Sequence, residues 1–309
     1  MEQVYYIETN GRGVKSDEIA REIVDTIAQA ALKDGKTAIS YMSYGDDPVR
    51  VGIPMKAFAA VGPNWEAMEG EVARYNPDQV NVSFILDPTL SKGVERWGNM
   101  GRRSVLEKLV PQSLVIVNTK MTPEEYLKYL PKSDIEYELV TVDAGAIEMP
   151  GVLQVLGAFS KESSIVSESS LREILDEKYQ SLEDFEEGIK DTKKITVKIG
   201  SGGKPEFPDP PRLPKASEMP IAVVVPAVPK GGRNPGYKTA SSRTYKPEIN
   251  YDQCVRCRTC WIFCPDGAID MNEEGYPSLN YDYCTGCNIC KNNCPVDAYE
   301  SKLELEMEA

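Results

Sequence analysis

The chain of 309 residues contains no histidine. Histidine is the usual general base and pH-dependent switch near neutral pH, and it is the commonest metal ligand. Acid–base chemistry in this chain would therefore fall to Asp, Glu, Lys, Tyr or Cys. All eight cysteines lie between positions 254 and 294 in one repeated pattern, so none is left for another role. For a chain of this size, these absences argue against an independent catalytic centre.

The sequence also lacks segments that would direct it to or across a membrane. Residues 1–4 have neither the basic nor the apolar region of a secretory signal. The longest strongly apolar stretch, Ile221–Val228, contains Pro226 and is too short to span a bilayer. A formal net charge of −13 disfavours nucleic acid and anionic membranes as partners. We therefore expect a soluble, cytoplasmic protein with no nucleic-acid and no membrane partner.

What the sequence does contain is one cysteine pattern written twice, 30 positions apart. Each copy reads Cys-x-x-Cys-x-x-Cys-x-x-x-Cys-Pro, and the copies begin at Cys254 and Cys284. This is the spacing of bacterial ferredoxins with two 4Fe–4S clusters, in which the fourth cysteine of each run ligates the other cluster. The predicted ligand sets are Cys254, Cys257, Cys260 and Cys294 for the first cluster, and Cys284, Cys287, Cys290 and Cys264 for the second.

Two other uses of cysteine compete with this interpretation. Thiolates also bind Zn²⁺ tetrahedrally, but zinc modules usually use two well-separated cysteine pairs. A disulfide framework requires an oxidising compartment, and no secretory signal indicates one. The doubled spacing therefore favours iron–sulfur clusters, and with them electron transfer. Clusters of this type without a protective compartment suggest an anaerobic organism.

The first 200 residues alternate strand-like and helix-like segments, which predicts an α/β domain with a largely parallel sheet and helices. The best-marked helix is Asp17–Lys33, with Ser16 as its N-cap and Gly35 after its end. A capping-box sequence starting at Thr122 opens another helix, to about Tyr129. The other predicted helices are Leu153–Ser160 and Leu171–Lys190, and the predicted strands are Val4–Glu8, Thr37–Ser43, Met55–Val61, Val80–Leu86, Leu114–Asn118 and Glu138–Val142.

A Pro/Gly-rich basic linker is predicted over residues 201–246. Between Lys204 and Lys246 there are nine prolines, and eight Lys or Arg stand against three acidic residues, a local net charge of +5. The segment is either a solvated spacer or an arm laid along a partner subunit. Residues 247–309 then form a small α+β bacterial-type two-cluster ferredoxin domain with an acidic tail.

A glycine-containing turn follows the first predicted strand. Gly11-Arg12-Gly13 stands between that strand and the first helix, where backbone amides can bind an anion. The turn lacks the third glycine of a dinucleotide fingerprint and the Gly-Lys-Ser/Thr of a P-loop, so a structural turn is the simpler interpretation. Asp87, at the end of an apolar strand, is interpreted in the same way as a strand-end residue.

These segments together resemble the 2-oxoacid:ferredoxin oxidoreductases, a family that includes pyruvate and oxalate enzymes. Gly11–Ser16 resembles the Gly-Gln-Gly-Val-x-Thr turn of the family's gamma subunits, and Ser43–Gly52 resembles their Ser-Tyr-Gly segment followed by Arg and Gly. Thr239–Ile249, Cys260–Pro265 and Tyr281–Cys284 resemble the delta subunits, which are two-cluster ferredoxin domains. The resemblance runs along nearly the whole chain and implies a fused gamma–delta subunit.

Two departures accompany the resemblance. Arg12 replaces the family's Gln, and the residues before Arg50 differ from the family pattern, so no ligand contact is assigned to either position. Within the family the chain looks most like the delta chain of an oxalate oxidoreductase, which implies oxidation of oxalate to CO₂ without coenzyme A. Pyruvate or another 2-oxoacid is the alternative substrate.

The resemblance also implies the cofactors and partners. Thiamine diphosphate, Mg²⁺ and a third 4Fe–4S cluster would lie in partner alpha and beta subunits, in a dimer of heterotrimers. This chain would take electrons from the partner's cluster and pass them to an external ferredoxin, with Trp261, Ile262 and Phe263 keeping water from its clusters. The competing interpretations are a non-catalytic ferredoxin-domain adaptor of another redox complex, and a nucleotide-binding protein that uses clusters as sensors.

Overall fold

The computed structural model describes residues 3–12, 16–43, 54–69, 77–92, 94–95, 102–147, 149–203, 233, 238–240 and 243–304. The chain divides into two compact units: Met1–Lys92 with Ser104–Glu206, and Gly93–Arg103 with Phe207–Ala309. Most of the predicted linker, including its apolar stretch Ile221–Val228, lies outside the described residues. Its path along a partner therefore stays a prediction.

A seven-stranded sheet organises the first unit, in the order β2-β3-β1-β4-β7-β8-β9. The four central strands β1, β4, β7 and β8 are parallel to one another, and the pairs β2–β3, β3–β1 and β8–β9 toward the two edges are antiparallel. The prediction of an α/β domain with a largely parallel sheet is therefore confirmed. The strands of this sheet are β1 (Tyr5–Arg12), β2 (Thr37–Ser43), β3 (Pro54–Gly62), β4 (Val80–Ile85), β7 (Leu109–Asn118), β8 (Tyr137–Val142) and β9 (Lys193–Val197). The short strands β5 (Val94–Glu95) and β6 (Arg102–Arg103) pair with each other and belong to the second unit.

Helices cover the sheet because each carries one apolar face. In α1 the residues Ile23, Ile27 and Ala31 repeat at helical spacing and are fully buried against the sheet. Helices α4 and α6 approach closely at Gly157 and Gly188, where a Cβ on Gly188 would lie 2.2 Å from a backbone oxygen. The helices are α1 (Asp17–Lys33), α2 (Trp65–Glu69), α3 (Pro123–Tyr126), α4 (Val152–Glu162), α5 (Glu168–Lys178) and α6 (Glu183–Asp191), with 3₁₀ turns at Pro88–Lys92 and Leu127–Tyr129. Among the helices of the described residues, none combines the length and apolarity needed to cross a bilayer.

Three details of the sequence-based prediction need correction. The single helix predicted over Leu171–Lys190 is two helices, α5 and α6, because the chain is extended at Tyr179 between them. Strand β1 continues to Arg12, past the predicted end at Glu8, because these residues stay paired with β3. The exposed edge strand β9 was not predicted, since its short polar sequence carries little alternation.

The predicted capping box at the start of α3 is present. The Thr122 hydroxyl accepts a hydrogen bond from the Glu125 amide, and a Glu125 carboxylate oxygen accepts one of 2.8 Å from the Thr122 amide. These bonds hold the pKa of Glu125 below its ordinary value. Two helical amides that would otherwise lack partners are thereby satisfied.

Replacing Thr122 by Ala should lower the free energy of unfolding by about 1 kcal/mol, because one cap acceptor is lost. The Glu125 carboxylate makes a separate contribution. Since the pKa of Glu125 is depressed in the folded state, that contribution should be present at neutral pH and disappear as the pH falls through the folded pKa. Denaturant titrations at neutral and acidic pH, with Thr122→Ser as the control that keeps a hydroxyl, check this. Equal stability of both variants at neutral pH would contradict it.

The second unit contains a two-fold repeat of short elements, which confirms the predicted α+β domain. One two-stranded antiparallel pair joins β10 to β13, and a second joins β11 to β12. The elements are β10 (Tyr245–Ile249), α7 (Thr259–Ile262), β11 (Ile269–Met271), β12 (Pro277–Leu279), α8 (Ile289–Asn292) and β13 (Tyr299–Leu303). Strand β10 begins within the range predicted as linker, because its residues pair with β13.

Candidate metal centres

Two cavities in the second unit collect all eight cysteines, four in each. The cavity of the first run is lined by Cys254, Cys257, Cys260 and Cys294, and the cavity of the second run by Cys264, Cys284, Cys287 and Cys290. Each run thus sends its fourth cysteine to the cavity of the other run, which is the grouping proposed from the spacing.

Left-handed backbone shapes the loops that carry three cysteines each. The φ angle is +58° at Arg256 and +66° at Arg258 in the first loop, and +72° at Gly286 and +60° at Asn288 in the second. This conformation is strained for the three non-glycine residues, and strained residues of this kind occur where the surrounding structure holds them, often at ligand sites. Only glycine fits at position 286, where a Cβ would lie 2.2 Å from the carbonyl oxygen of Tyr245. Alternating backbone conformations of this kind turn successive amides toward an anion, which suits a thiolate-bound cluster.

Backbone amides donate to the sulfur of each fourth cysteine. The distance is 3.2 Å from the Ala268 nitrogen to Cys264 Sγ, and 3.3 Å from the Ala298 nitrogen to Cys294 Sγ. Each donating amide lies four residues after its cysteine, so the same hydrogen bond occurs in both halves of the repeat. Amide donors of this kind stabilise negative charge on sulfur.

A threonine hydroxyl contacts the exposed cysteine of the first loop. Thr259 Oγ1 lies 3.3 Å from Cys257 Sγ. The hydrogen bond between them lowers the pKa of the Cys257 thiol. Because a thiolate only accepts hydrogen bonds, the hydroxyl is the donor once the sulfur is a cluster ligand.

Tyr299 carries an unpartnered hydroxyl at the first cavity. The residue is 4% exposed and begins β13. Among the described residues its hydroxyl has no hydrogen-bond partner of good geometry, and the Cys260 sulfur is the polar group beside it. Burial, followed by the neighbouring Cys260, raises the pKa of Tyr299. An orphaned buried donor at a ring of thiols fits a bound group rich in acceptor sulfur. The donor sets of both cavities therefore fit 4Fe–4S clusters.

A buried ion pair lies beside the second cysteine loop. The Arg243 guanidinium pairs with the Glu304 carboxylate, and each side chain is 6% exposed. Arg243 also donates to the carbonyl oxygens of Tyr281 at 2.6 Å and Cys284 at 3.0 Å. One side chain thus ties the segment before β10 and the residue after β13 to the second cysteine loop.

The expected role of Trp261, Ile262 and Phe263 is wrong. These side chains are 49%, 65% and 56% exposed, and they line neither cavity. The short helix α7 turns Cys260 inward and carries the next three residues outward. The apolar lining of the two cavities instead comes from Ile249, Val255, Val296, Ile269, Leu279 and Ile289.

In the first unit, Arg12 and Asp87 form a buried ion pair. The distance from Arg12 Nε to Asp87 Oδ2 is 2.6 Å, and Arg12 Nη2 donates to Thr89 Oγ1 at 2.8 Å. The Ser16 hydroxyl bonds the backbone of Arg12 and makes no side-chain cap to α1. Asp87 is thus a strand-end residue that holds β1. Gly13 and Arg50 lie outside the described residues.

Sequence reasoning missed Thr259, Tyr299 and the Arg243–Glu304 pair as parts of this site. Thr259 and Tyr299 differ from their repeat counterparts, Ile289 and Ile269, and that difference was the available signal. The ion pair joins residues 61 positions apart, and no local sequence pattern predicts such a pair.

Residues 247–300 match the family described as 4Fe-4S dicluster domain. The pyruvate synthase subunit PorD of Pyrococcus furiosus is 60% identical over 40 residues, which are 13% of this chain and 38% of that protein. This chain therefore spans little more than a third of that relative. The family match supports two 4Fe–4S clusters in place of zinc sites.

A longer similarity relates the chain to a second kind of subunit. The pyruvate/ketoisovalerate oxidoreductases common subunit gamma of Thermococcus litoralis is 30% identical over 190 residues, covering 60% of this chain and 85% of that protein. Among solved structures, the pyruvate oxidoreductase subunit PORC of Thermotoga maritima gives a TM-score of 0.48 at 20% identity, covering 62% of this chain and 99% of that chain.

Proposed function

Because this chain belongs to the family of gamma and delta subunits of the 2-oxoacid:ferredoxin oxidoreductases, we propose that it is the electron-transfer subunit of such an enzyme. The observation that carries the proposal is the pair of cavities, each lined by four cysteines, within a 4Fe-4S dicluster domain. No other group of the described residues offers comparable redox chemistry.

Each bound 4Fe–4S cluster supplies a one-electron redox couple. The chain's own residues hold and insulate the clusters. Four thiolates in each cavity are the ligands, and the amides of Ala268 and Ala298 donate to the sulfur of the crossing cysteines. Apolar side chains such as Ile249 and Leu279 limit the access of water.

The partners in this proposal are alpha and beta subunits, in a dimer of heterotrimers, that bind the 2-oxoacid, thiamine diphosphate, Mg²⁺ and a third 4Fe–4S cluster. Oxidative decarboxylation of one 2-oxoacid releases two electrons, which matches two one-electron centres in this chain. External ferredoxin then accepts them one at a time. Thiamine chemistry is a property of that cofactor, and no residue of this chain is assigned to it.

Pyruvate or another 2-oxoacid is the substrate class we propose. The relatives described above are named for pyruvate and ketoisovalerate, and neither name includes oxalate. The sequence-based preference for oxalate therefore has no support from these relatives. Oxalate nevertheless belongs in the substrate screen, because the departure at Arg12 separates this chain from the family pattern.

The test is purification of the native complex under anaerobic conditions, followed by assays of oxalate, pyruvate and 2-oxoglutarate with a viologen dye. The complex should reduce the dye with one of these acids, and the isolated chain should oxidise none. A matched complex reconstituted without this chain should lose transfer to ferredoxin. Turnover by the isolated chain, or unchanged ferredoxin reduction without it, would contradict the proposed division of labour. Association with subunits that bind no thiamine would instead identify an adaptor.

A further inference from the structure

The two cavities are related by the 30-residue repeat, but the side-chain hydroxyls of the first cavity have no equivalents in the second. Thr259 and Tyr299 line the first cavity, whereas the equivalent positions in the second cavity hold Ile289 and Ile269. Near the second cysteine loop, Thr285 donates to Asp266 Oδ2 at 2.7 Å and Ser301 donates to Asn288 Oδ1 at 2.6 Å. Neither hydroxyl bonds a sulfur among the described residues. The described residues thus direct two side-chain hydroxyls at the first cavity.

Both hydroxyls lie beside ligand sulfur. Thr259 Oγ1 is 3.3 Å from Cys257 Sγ. The Tyr299 hydroxyl is buried without a hydrogen-bond partner in the described part of the chain, and Tyr299 packs with Cys260 at the first cavity. Reduction adds negative charge to the cluster and its sulfurs, and a donor stabilises the more negative state. Hydrogen bonds to sulfur are one of the properties that set the potential of a 4Fe–4S cluster.

The charges that line the two cavities also differ, and the difference favours reduction of the first cluster. The first is lined by Arg256 and Arg258, whose repeat counterparts are Gly286 and Asn288, and the second is lined by the acidic Asp266. Positive charge and exposure stabilise the reduced state, and negative charge opposes it.

Two further differences do not reverse this order. The Arg243 charge near the second loop is neutralised by its ion pair with Glu304. Cys254 is partly exposed, whereas its counterpart Cys284 is buried.

We propose that the cluster held by Cys254, Cys257, Cys260 and Cys294 has the higher reduction potential of the two, and that Thr259 and Tyr299 are the positioning residues that raise it. The inference rests on the proposed ligand sets. A single electron entering the chain therefore resides on the first cluster, and the second cluster is reduced only by a further electron. Each step is a one-electron reduction in which no bond forms or breaks. The reductant is the partner's reduced cluster in the enzyme, or dithionite in the test.

The test is a redox titration of the full-length chain with its clusters, monitored by electron paramagnetic resonance, for Thr259→Val, Tyr299→Phe and the double variant. Two midpoints are expected in the parent chain. The double variant should lower the higher midpoint, so that the reduced-to-oxidised ratio at a fixed potential falls about tenfold, or about 59 mV for one electron. The lower midpoint should stay in place. Ile289→Thr should raise the lower midpoint only.

Tyr281→Phe is the matched control, because its hydroxyl donates to the carbonyl oxygen of Pro247 at 2.9 Å and to no sulfur. It should leave both midpoints unchanged. Iron and sulfide analysis checks that every variant binds both clusters. If Tyr299→Phe lowers the cluster content, the midpoints of Thr259→Val alone test the proposal. Loaded variants with unchanged midpoints, or a shift of the lower midpoint, would overturn the inference. Dithionite titration needs no partner, so this result is separate from a failure of the proposed function.

Discussion

Replacing Cys264 by Ser is expected to disturb the cluster of the second cysteine run and to leave the cluster of its own run intact. Cys264 follows the first three cysteines in sequence but lines the cavity of Cys284, Cys287 and Cys290. Loss of one of four thiolates leaves a cluster incompletely ligated. The parent chain should contain about eight iron and eight sulfide, as two 4Fe–4S clusters require, and the variant about half of each or an altered second cluster.

Iron and sulfide analysis, together with cluster-resolved spectroscopy, measures this effect. Cys294→Ser is the mirror variant, and it should affect the cluster of Cys254, Cys257 and Cys260. If each substitution altered only the cluster of its own run, the crossed ligand sets would be wrong. Stoichiometric zinc without sulfide in the parent chain would show that the chain binds zinc and not iron–sulfur clusters.

Replacing Arg243 by Met should destabilise the ferredoxin domain by about 3–5 kcal/mol, because it leaves the buried Glu304 carboxylate without its cation. The variant also loses two hydrogen bonds to carbonyl oxygens at the second loop. The measurement is the temperature at which the cluster absorbance is lost. Adding Glu304→Gln to this variant should recover part of the lost stability, because it removes the uncompensated carboxylate charge.

Lys302→Met is the control for this comparison. Lys302 of β13 pairs with Glu248 of β10 at 2.6 Å, but both side chains are substantially exposed, and exposed ion pairs contribute little. Its cluster-loss temperature should stay near that of the parent chain. Equal effects of Arg243→Met and Lys302→Met would contradict a special role for the buried pair.

The cysteine grouping could be anticipated because it depends on spacing alone. Short loops allow three closely spaced thiolates to face one cavity, and the structure brings the fourth from the other run. Helix α1 could be predicted from end to end for a similar reason. Its apolar face repeats at helical spacing, and Gly35, with φ of +74°, stands just after its end.

Features that depend on distant contacts could not be predicted. The Arg12–Asp87 pair joins residues 75 positions apart, so neither residue alone indicates its partner. The break between α5 and α6 depends on how Tyr179 packs against the core, while the local sequence is polar and helix-compatible. The outward direction of Trp261 follows from the short helix α7, since an apolar residue beside a ligand is otherwise expected to face inward.

In the proposed function, electrons from a 2-oxoacid pass through the two clusters of this chain. The most direct measurement is to add substrate to the purified complex under anaerobic conditions, without ferredoxin, and to record the electron paramagnetic resonance spectrum. We expect signals from this chain's reduced 4Fe–4S clusters, and partial loss of those signals in a complex that carries Cys264→Ser. Substrate oxidation that leaves both clusters of this chain oxidised would contradict it.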